Sequence, residues 1–262
     1  MKCVLITGAA GLVGGVLREQ LRGRYRLTLL DLKPMPDACE GERVLQGDIG
    51  DPDVLALAMA GADAVVHLAG VPTEAPWEAI RDANIDGCYR VVEAARQAGV
   101  GRFVFASSNH AIGFYSRRQT LDESSLPRPD TRYGVSKVFG ETLLSFYADK
   151  FGLASVCIRI GTLLRPDAPA ERRHLSSWIS HRDLGQLVER AIEADVRYEI
   201  VYGMSNNARR WWKDAAAERL GYHPQDDAET FAPELEGVDG TCTDPLAETL
   251  QGGVYCVWER DG

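Results

Sequence analysis

The stretch Met1-Lys2-Cys3-Val4-Leu5-Ile6-Thr7-Gly8-Ala9-Ala10-Gly11-Leu12-Val13-Gly14 decides the fold. An apolar run of strand length, Cys3 to Thr7, leads directly into a glycine-spaced turn, and an amphipathic helical pattern, Leu12 to Leu21, follows. A strand that passes through such a turn into a helix leaves the first helical N–H groups and the positive end of the helix dipole facing whatever fills the turn. Glycine suits the sharp bend, the close approach of a phosphate to the backbone, and the packing of helix on strand. Gly8, Ala10, Gly11, Leu12, Val13 and Gly14 are therefore the expected cradle for the pyrophosphate of a dinucleotide.

Outward from this turn the same alternation continues. Leu27 to Asp31, Ala64 to Ala69, Phe103 to Ser107 and Ala154 to Ile160 read as further strands, with helical patterns at Pro52 to Met59, Ala83 to Ala98 and Arg132 to Lys150. Strand–helix alternation of this kind builds an α/β fold, a doubly wound parallel sheet of Rossmann type covered on both faces. After Ile160 the regularity breaks. Gly161 to Ser177 is rich in Pro and Arg, and a helix at Arg182 to Glu193, a strand at Glu199 to Tyr202 and a helix at Trp212 to Leu220 follow. The expectation is one domain, 1-262, with a dinucleotide-binding core at 1-160 and a small substrate-binding and oligomerisation lobe at 161-262 that caps the carboxyl ends of the strands.

Composition narrows the function. At 262 residues, 45% hydrophobic and 26% charged, the chain is long enough to enclose a site and ordinary for a globular protein. A net charge of -9 argues against a nucleic-acid surface, which needs a clustered basic face. The apolar runs are too short for a membrane helix, and the six cysteines form no CxxC pair, so a cytoplasmic protein with reduced thiols and no metal is expected. Apolar residues on helix surfaces point to a homo-oligomer.

The second strand ends in Leu29-Leu30-Asp31. A carboxylate there accepts from both hydroxyls of the adenosine ribose and repels a 2'-phosphate, which favours NAD over NADP, with Lys33 leaving room for some NADP use. Asp48 and Ile49, beyond a third strand ahead of Gly47, and Leu68, Ala69 and Gly70, at the end of the fourth, lie where doubly wound folds bind ligands and are assigned to the adenine and phosphate side. Asn84 and Ile160 complete the expected cofactor contacts.

Tyr133-Gly134-Val135-Ser136-Lys137 puts a phenol and an ammonium on one helical face. The ammonium favours phenolate, so Tyr133 is the candidate general base and Lys137 its partner, both also touching the cofactor. Ser108, just past the strand ending at Ser107, faces the same crevice and completes the catalytic trio as a donor to the reacting oxygen.

Together, Gly8, Gly11, Gly14, Asp31, Asp48, Ser108, Tyr133 and Lys137 resemble the extended short-chain dehydrogenase/reductase family, the NAD-dependent epimerase/dehydratases. The runs Phe105-Ala106-Ser107-Ser108-Asn109-His110-Ala111-Ile112-Gly113, Arg159-Ile160-Gly161 and Arg173-His174-Leu175-Ser176-Ser177-Trp178, with Asn206 and Trp211-Trp212, resemble more narrowly the bacterial uronate dehydrogenase group. That resemblance implies an NAD-dependent oxidoreductase taking a sugar acid, glucuronate or galacturonate, to its aldarolactone. It implies substrate contacts at Ser108, Asn109, His110 and Tyr133, and a guanidinium clamp for the carboxylate at Arg173, with Arg172 as the neighbouring alternative. The sequence departs from the group's pattern in a loop about two residues longer before Leu175-Ser176, in Thr162 where a serine is usual, and in Pro72, which leaves Thr73 as the shifted substitute for a sugar-facing serine.

Two other readings fit part of this pattern. Nucleotide-sugar epimerases and dehydratases use the same trio, but the chain beyond Lys150 is short for a lobe that must also enclose a nucleotide. A non-catalytic NAD-binding sensor has no need of the trio.

Overall fold

The computed structural model describes residues 1–213, 215–238, 242 and 244–259. Its centre is a seven-stranded, wholly parallel sheet in the order β3-β2-β1-β4-β5-β6-β7. The strands are β1 (Cys3–Thr7), β2 (Arg26–Asp31), β3 (Glu42–Gln46), β4 (Ala64–His67), β5 (Arg102–Ser108), β6 (Ala154–Ile160) and β7 (Tyr198–Gly203). The order reverses between β1 and β4, and this is the point where open α/β sheets leave a crevice at their carboxyl ends.

Alternate residues of each strand feed two separate cores. Val4 and Ile6 of β1 join Val16 and Leu17 of α1 (Leu12–Leu21) and Leu184, Leu187 and Val188 of α7 (His181–Glu193) on one face. Leu5 joins Leu55 of α2 (Pro52–Met59), Val91 and Val92 of α4 (Gly87–Gln97) and Leu144 of α5 (Arg132–Phe151) on the other. Apolar residues at both strand parities are the pattern expected of a sheet buried on both faces.

The helix expected from Ala83 starts earlier. α3 (Trp77–Ile80) runs into a π-helical segment, Arg81–Asp86, and then into α4. A π turn inserts a residue into the helical ladder and shifts the face presented on either side of it. Here it turns Asn84 inward, 5% exposed, and leaves Arg81 and Asp82 in solvent. The fourth strand is shorter than expected, ending at His67, because Leu68-Ala69-Gly70 bends away and Gly70 adopts φ +146.

Residues beyond 160 do more than cap. β7 pairs with β6 from Ser155↔Tyr198 to Ile160↔Gly203, and α7 packs against α1. Without β7 the β6 backbone would present an open edge, so the boundary drawn at 160 cuts through the sheet itself. What lies towards the carboxyl ends is α6 (His174–Ser177) and the segment around Gln251 to Cys256, while Ala216, Ala217, Leu220 and Tyr222 join the core on the α1 face. α8 (Ala215–Arg219) is shorter than the helix expected from Trp212 to Leu220: Trp212 bridges to Leu121 instead, and Leu220 lies in the turn that follows the helix. Among the described residues no helix is long and apolar enough to cross a membrane.

Candidate active site

The glycines of the first turn each have a different neighbour. Gly8 sits at φ +74, and a Cβ there would stand 2.6 Å from the Ala69 nitrogen; one on Gly14 would stand 2.6 Å from the Gly8 oxygen. Both are fixed by the close packing of the turn on itself, on the helix and on Leu68 and Ala69 just after β4. Gly11 is the N-cap of α1, and no side chain caps that helix end. Gly11 and Leu12 are exposed at the mouth of the crevice while Gly14 is buried beneath them. Uncapped helical N–H groups lined by glycine and open to solvent suit an anion, so the residues present fit a dinucleotide pyrophosphate.

Asp31 lies beside this turn. Its Oδ2 accepts from the Ala10 amide at 2.9 Å and its Oδ1 from the Lys33 amide at 2.9 Å. A carboxylate offers about four lone-pair sites, so capacity remains for ribose hydroxyls. Asp48 is exposed and closes its own turn by accepting from the Gly50 amide at 2.7 Å. Ile49 packs towards Gly87, and Leu68 and Ala69 are half-buried against the first turn. Asn84 is occupied by the protein: its Oδ1 accepts from the Val71 amide at 2.7 Å and its Nδ2 donates to the Ser136 hydroxyl at 3.1 Å. It ties the loop after β4 to α5, and Gly70 is glycine because a Cβ would stand 2.7 Å from that Oδ1.

The candidate catalytic trio converges from β5 and α5. Thr131 caps α5 by accepting from the Gly134 amide at 3.0 Å, and the Glu74 carboxylate accepts from the Tyr133 amide at 3.0 Å. Ser108 ends β5 and its Oγ accepts from the His110 amide at 3.1 Å. Ser108, Tyr133 and Lys137 are all buried, and the Lys137 Nζ lies 5.3 Å from the Tyr133 ring centroid and 5.1 Å from that of Phe105. Burial pushes the Tyr133 phenol up to about 12, against a hydrogen bond with Ser108 that lowers it. Burial also pulls Lys137 down to about 8. The lowering of the phenol expected from Lys137 is not found in the chain alone: burial dominates, the one opposing influence is the Ser108 hydrogen bond, and the nearby Tyr255 and Asp130 raise the phenol further.

The expected substrate residues gather on the other side of Ser108. With its amide oriented to match its neighbours, Asn109 donates to the Ile160 oxygen at 3.2 Å and accepts from Arg173 Nη2 at 2.9 Å. The Arg173 Nε and Nη2 both donate to the Gln251 main-chain oxygen, at 2.9 and 2.5 Å, and its guanidinium lies 5.8 Å from the Trp211 ring centroid. Arg172 is exposed, which separates the two neighbouring arginines: Arg173 alone points inward. The Thr162 hydroxyl hydrogen-bonds that of Ser177 at 2.8 Å, and the Thr73 hydroxyl that of Tyr255 at 3.1 Å.

Sequence reasoning missed the segment that roofs this side. The Tyr255 ring lies tilted against His110 at 3.9 Å between centroids, and the Gln251 side-chain oxygen accepts from Trp212 Nε1 at 2.9 Å. A cavity of about 110 Å³ beside this segment is lined by Arg117, Glu171, Arg173, His174 and Tyr255. The only signal in the sequence was the late aromatic cluster Tyr255-Cys256-Val257-Trp258, which carries no spacing that points to a site. A larger cavity of about 530 Å³ lies between α2 and α4 and contains none of the trio. Among the described residues no group of three or more His, Cys, Asp or Glu is placed to hold a metal ion.

Residues 4–214 match the model of the NAD dependent epimerase/dehydratase family. The chain is 43% identical over 255 residues to a uronate dehydrogenase of Pseudomonas syringae pv. tomato, covering 96% of this chain and 92% of that protein. It is 42% identical over 256 residues to an NAD-dependent glucose-6-phosphate dehydrogenase of Haloferax volcanii, covering 90% and 98%. Its fold superposes with a TM-score of 0.92 on the crystal structure of a variant uronate dehydrogenase from Agrobacterium tumefaciens complexed with NAD, at 39% identity, covering 98% of this chain and 97% of that one.

Proposed function

From the premise that the chain belongs to the NAD dependent epimerase/dehydratase family and is an NAD-dependent oxidoreductase, we propose that it oxidises a hexuronate at C1 to the aldarolactone. The substrates are glucuronate and galacturonate. The observation that carries this reading is the bridge made by Asn109, which holds the Arg173 guanidinium beside the strand end that presents Ser108. A fixed cation next to a Ser-Tyr-Lys trio suits a sugar with a carboxylate at one end and a reacting hydroxyl at the other.

In this reading Tyr133 takes the proton of the anomeric hydroxyl and Ser108 donates to the same oxygen as its bond to C1 becomes a carbonyl. When bound, NAD supplies the acceptor for the hydride that leaves C1 and, in its oxidised form, a positive charge near the phenol. Lys137 holds the nicotinamide ribose and supports the phenolate. Burial of Tyr133 and Lys137 keeps water from the reacting oxygen, which strengthens each of these interactions. Thr73, His110 and Thr162 meet sugar hydroxyls, and Arg173 meets the carboxylate.

In this reading residues 1–160 with β7 hold the dinucleotide, and the segments after Gly203 close over the sugar. The protein works in the cytoplasm with its cysteines free, and self-associates through the α4 and α5 faces that expose Tyr89, Phe146 and Phe151.

The test is NADH formation by purified protein given glucuronate, galacturonate, glucose 6-phosphate or a UDP-hexuronate in turn. Turnover of either free uronate with release of a lactone is the expected result. Activity confined to glucose 6-phosphate or to the UDP-sugar would overturn the proposal.

A further inference from the structure

His110 is held by a carboxylate that belongs to none of the assigned site residues. Its Nδ1 lies 2.7 Å from Asp130 Oδ2, and the Asp130 side chain is fully buried. Thr131 donates its hydroxyl to Asp130 Oδ1 at 3.0 Å, and the Asp130 amide donates to the His110 oxygen at 3.2 Å. The carboxylate sits in a slot made of glycine. A Cβ on Gly113 would fall 1.8 Å from Oδ2 and one on Gly252 2.0 Å from it, and the Gly252 amide donates to the Gly113 oxygen at 2.9 Å. Three parts of the chain remote in sequence, after β5, before α5 and in the roofing segment, are thus shaped around one side chain.

A neutral imidazole has one donor nitrogen and one acceptor, and the hydrogen bond made by one fixes the role of the other. We propose that Asp130 is a positioning residue that holds His110 as its Nδ1–H tautomer, leaving Nε2 as an acceptor for a sugar hydroxyl between the Tyr133 and Tyr255 rings. The His110 ring stands edge-on to Tyr133 at 6.0 Å between centroids and lies tilted by 31° against Tyr255 at 3.9 Å, so its plane is held from two sides. An acceptor at this place selects a substrate hydroxyl in one orientation. The proposal rests on the hexuronate reading for the identity of that hydroxyl.

Two measurements test it. Nitrogen-15 NMR of the histidine-labelled, substrate-free wild-type protein should show the His110 proton on Nδ1; a proton on Nε2 would overturn the proposal. In kinetics, Asp130→Asn keeps the shape of the slot and should lower kcat/KM for the uronate roughly tenfold to a hundredfold, the scale of one lost substrate hydrogen bond, with KM for NAD within twofold. The same substitution placed on His110→Gln should cost nothing further. A full loss in that background, or a parallel loss of NAD binding, would show a structural tie and overturn the assignment. Failure of every variant and the wild type to turn over a uronate would remove the hexuronate reading, while the tautomer result would still decide the role of Asp130.

Discussion

The Arg173 guanidinium turns its Nε–Nη2 edge to the main-chain oxygen of Gln251, at 2.9 and 2.5 Å. That is the pair of parallel donors that would otherwise engage a carboxylate in two-pronged fashion, so a substrate carboxylate meets the Nη1 side or displaces the Gln251 carbonyl. Arg173→Ala should raise KM for the uronate tenfold or more and leave KM for NAD within twofold; Arg173→Lys should recover only part of the loss because an ammonium lacks the planar fork. Equal changes in both constants would argue against the clamp.

Tyr133→Phe should lower kcat at least about a hundredfold while NAD still binds, the usual scale for removing a general base. The base must be deprotonated to act, and burial pushes this phenol up to about 12 in the chain alone. kcat/KM for uronate oxidation should therefore rise as pH increases from neutrality to mildly alkaline values. A flat or falling profile across that range, measured with stable protein, would count against Tyr133 as the base.

Asp31→Ala removes the carboxylate that accepts from the Ala10 amide and that, in the proposed reading, meets the ribose. KM for NAD should rise about tenfold, and the ratio of NADP to NAD activity should rise with it, since repulsion of the 2'-phosphate is gone. An unchanged cofactor ratio in steady-state kinetics would show that another group sets the preference.

Glu42 provides the clearest acid-sensitive tie. Burial opposes its ionisation, but hydrogen bonds from Arg18, the Cys39 amide and Arg22 outweigh it and hold the carboxyl at about 2, below its ordinary value of 4.5. A depressed folded-state pKa adds stability above the unfolded value, and that stability is lost as pH falls from about 4.5 towards 2. Glu42→Gln should flatten the dependence of unfolding free energy on pH across that window, as read by denaturant melts. An identical slope in the variant would remove Glu42 as the source.

Beneath the site, Glu141 and Arg159 form a buried ion pair at 2.9 Å, with Ser107 donating to Glu141 at 2.6 Å. Glu141→Gln leaves the Arg159 guanidinium without its counter-charge and should cost about 3–5 kcal/mol of stability. Replacing both partners with apolar residues of similar volume should restore most of it. Calorimetric or denaturant unfolding of the single and double variants distinguishes these outcomes.

The sheet was legible because its strands carry continuous apolar runs, and the trio because Tyr133, Lys137 and Ser108 lie on one helix and one strand end with known geometry. β3 was anticipated only by its end at Gly47. Glu-Arg-Val-Leu-Gln has too few apolar residues to read as a strand, since an edge strand is half in solvent. Asn84 is expected as a cofactor contact, and its ties to Val71 and Ser136 were not legible because a π segment breaks the periodicity that sequence reading relies on. Asp130 and Tyr255 were invisible for a different reason: their meaning lies in contacts between segments far apart in the chain, and no local spacing records those.

The Glu141–Arg159 pair also bears on how loss-of-function variants of this protein should be sorted. Ser107, bonded to Glu141, is the peptide neighbour of Ser108, so a change at Glu141 or Arg159 loosens the strand end that carries the serine without touching any ligand. In a colony screen such variants would be scored beside Tyr133 and Ser108 as chemically dead. Growth at lower temperature tells them apart, for a broken fold recovers in the cold and a missing proton acceptor does not.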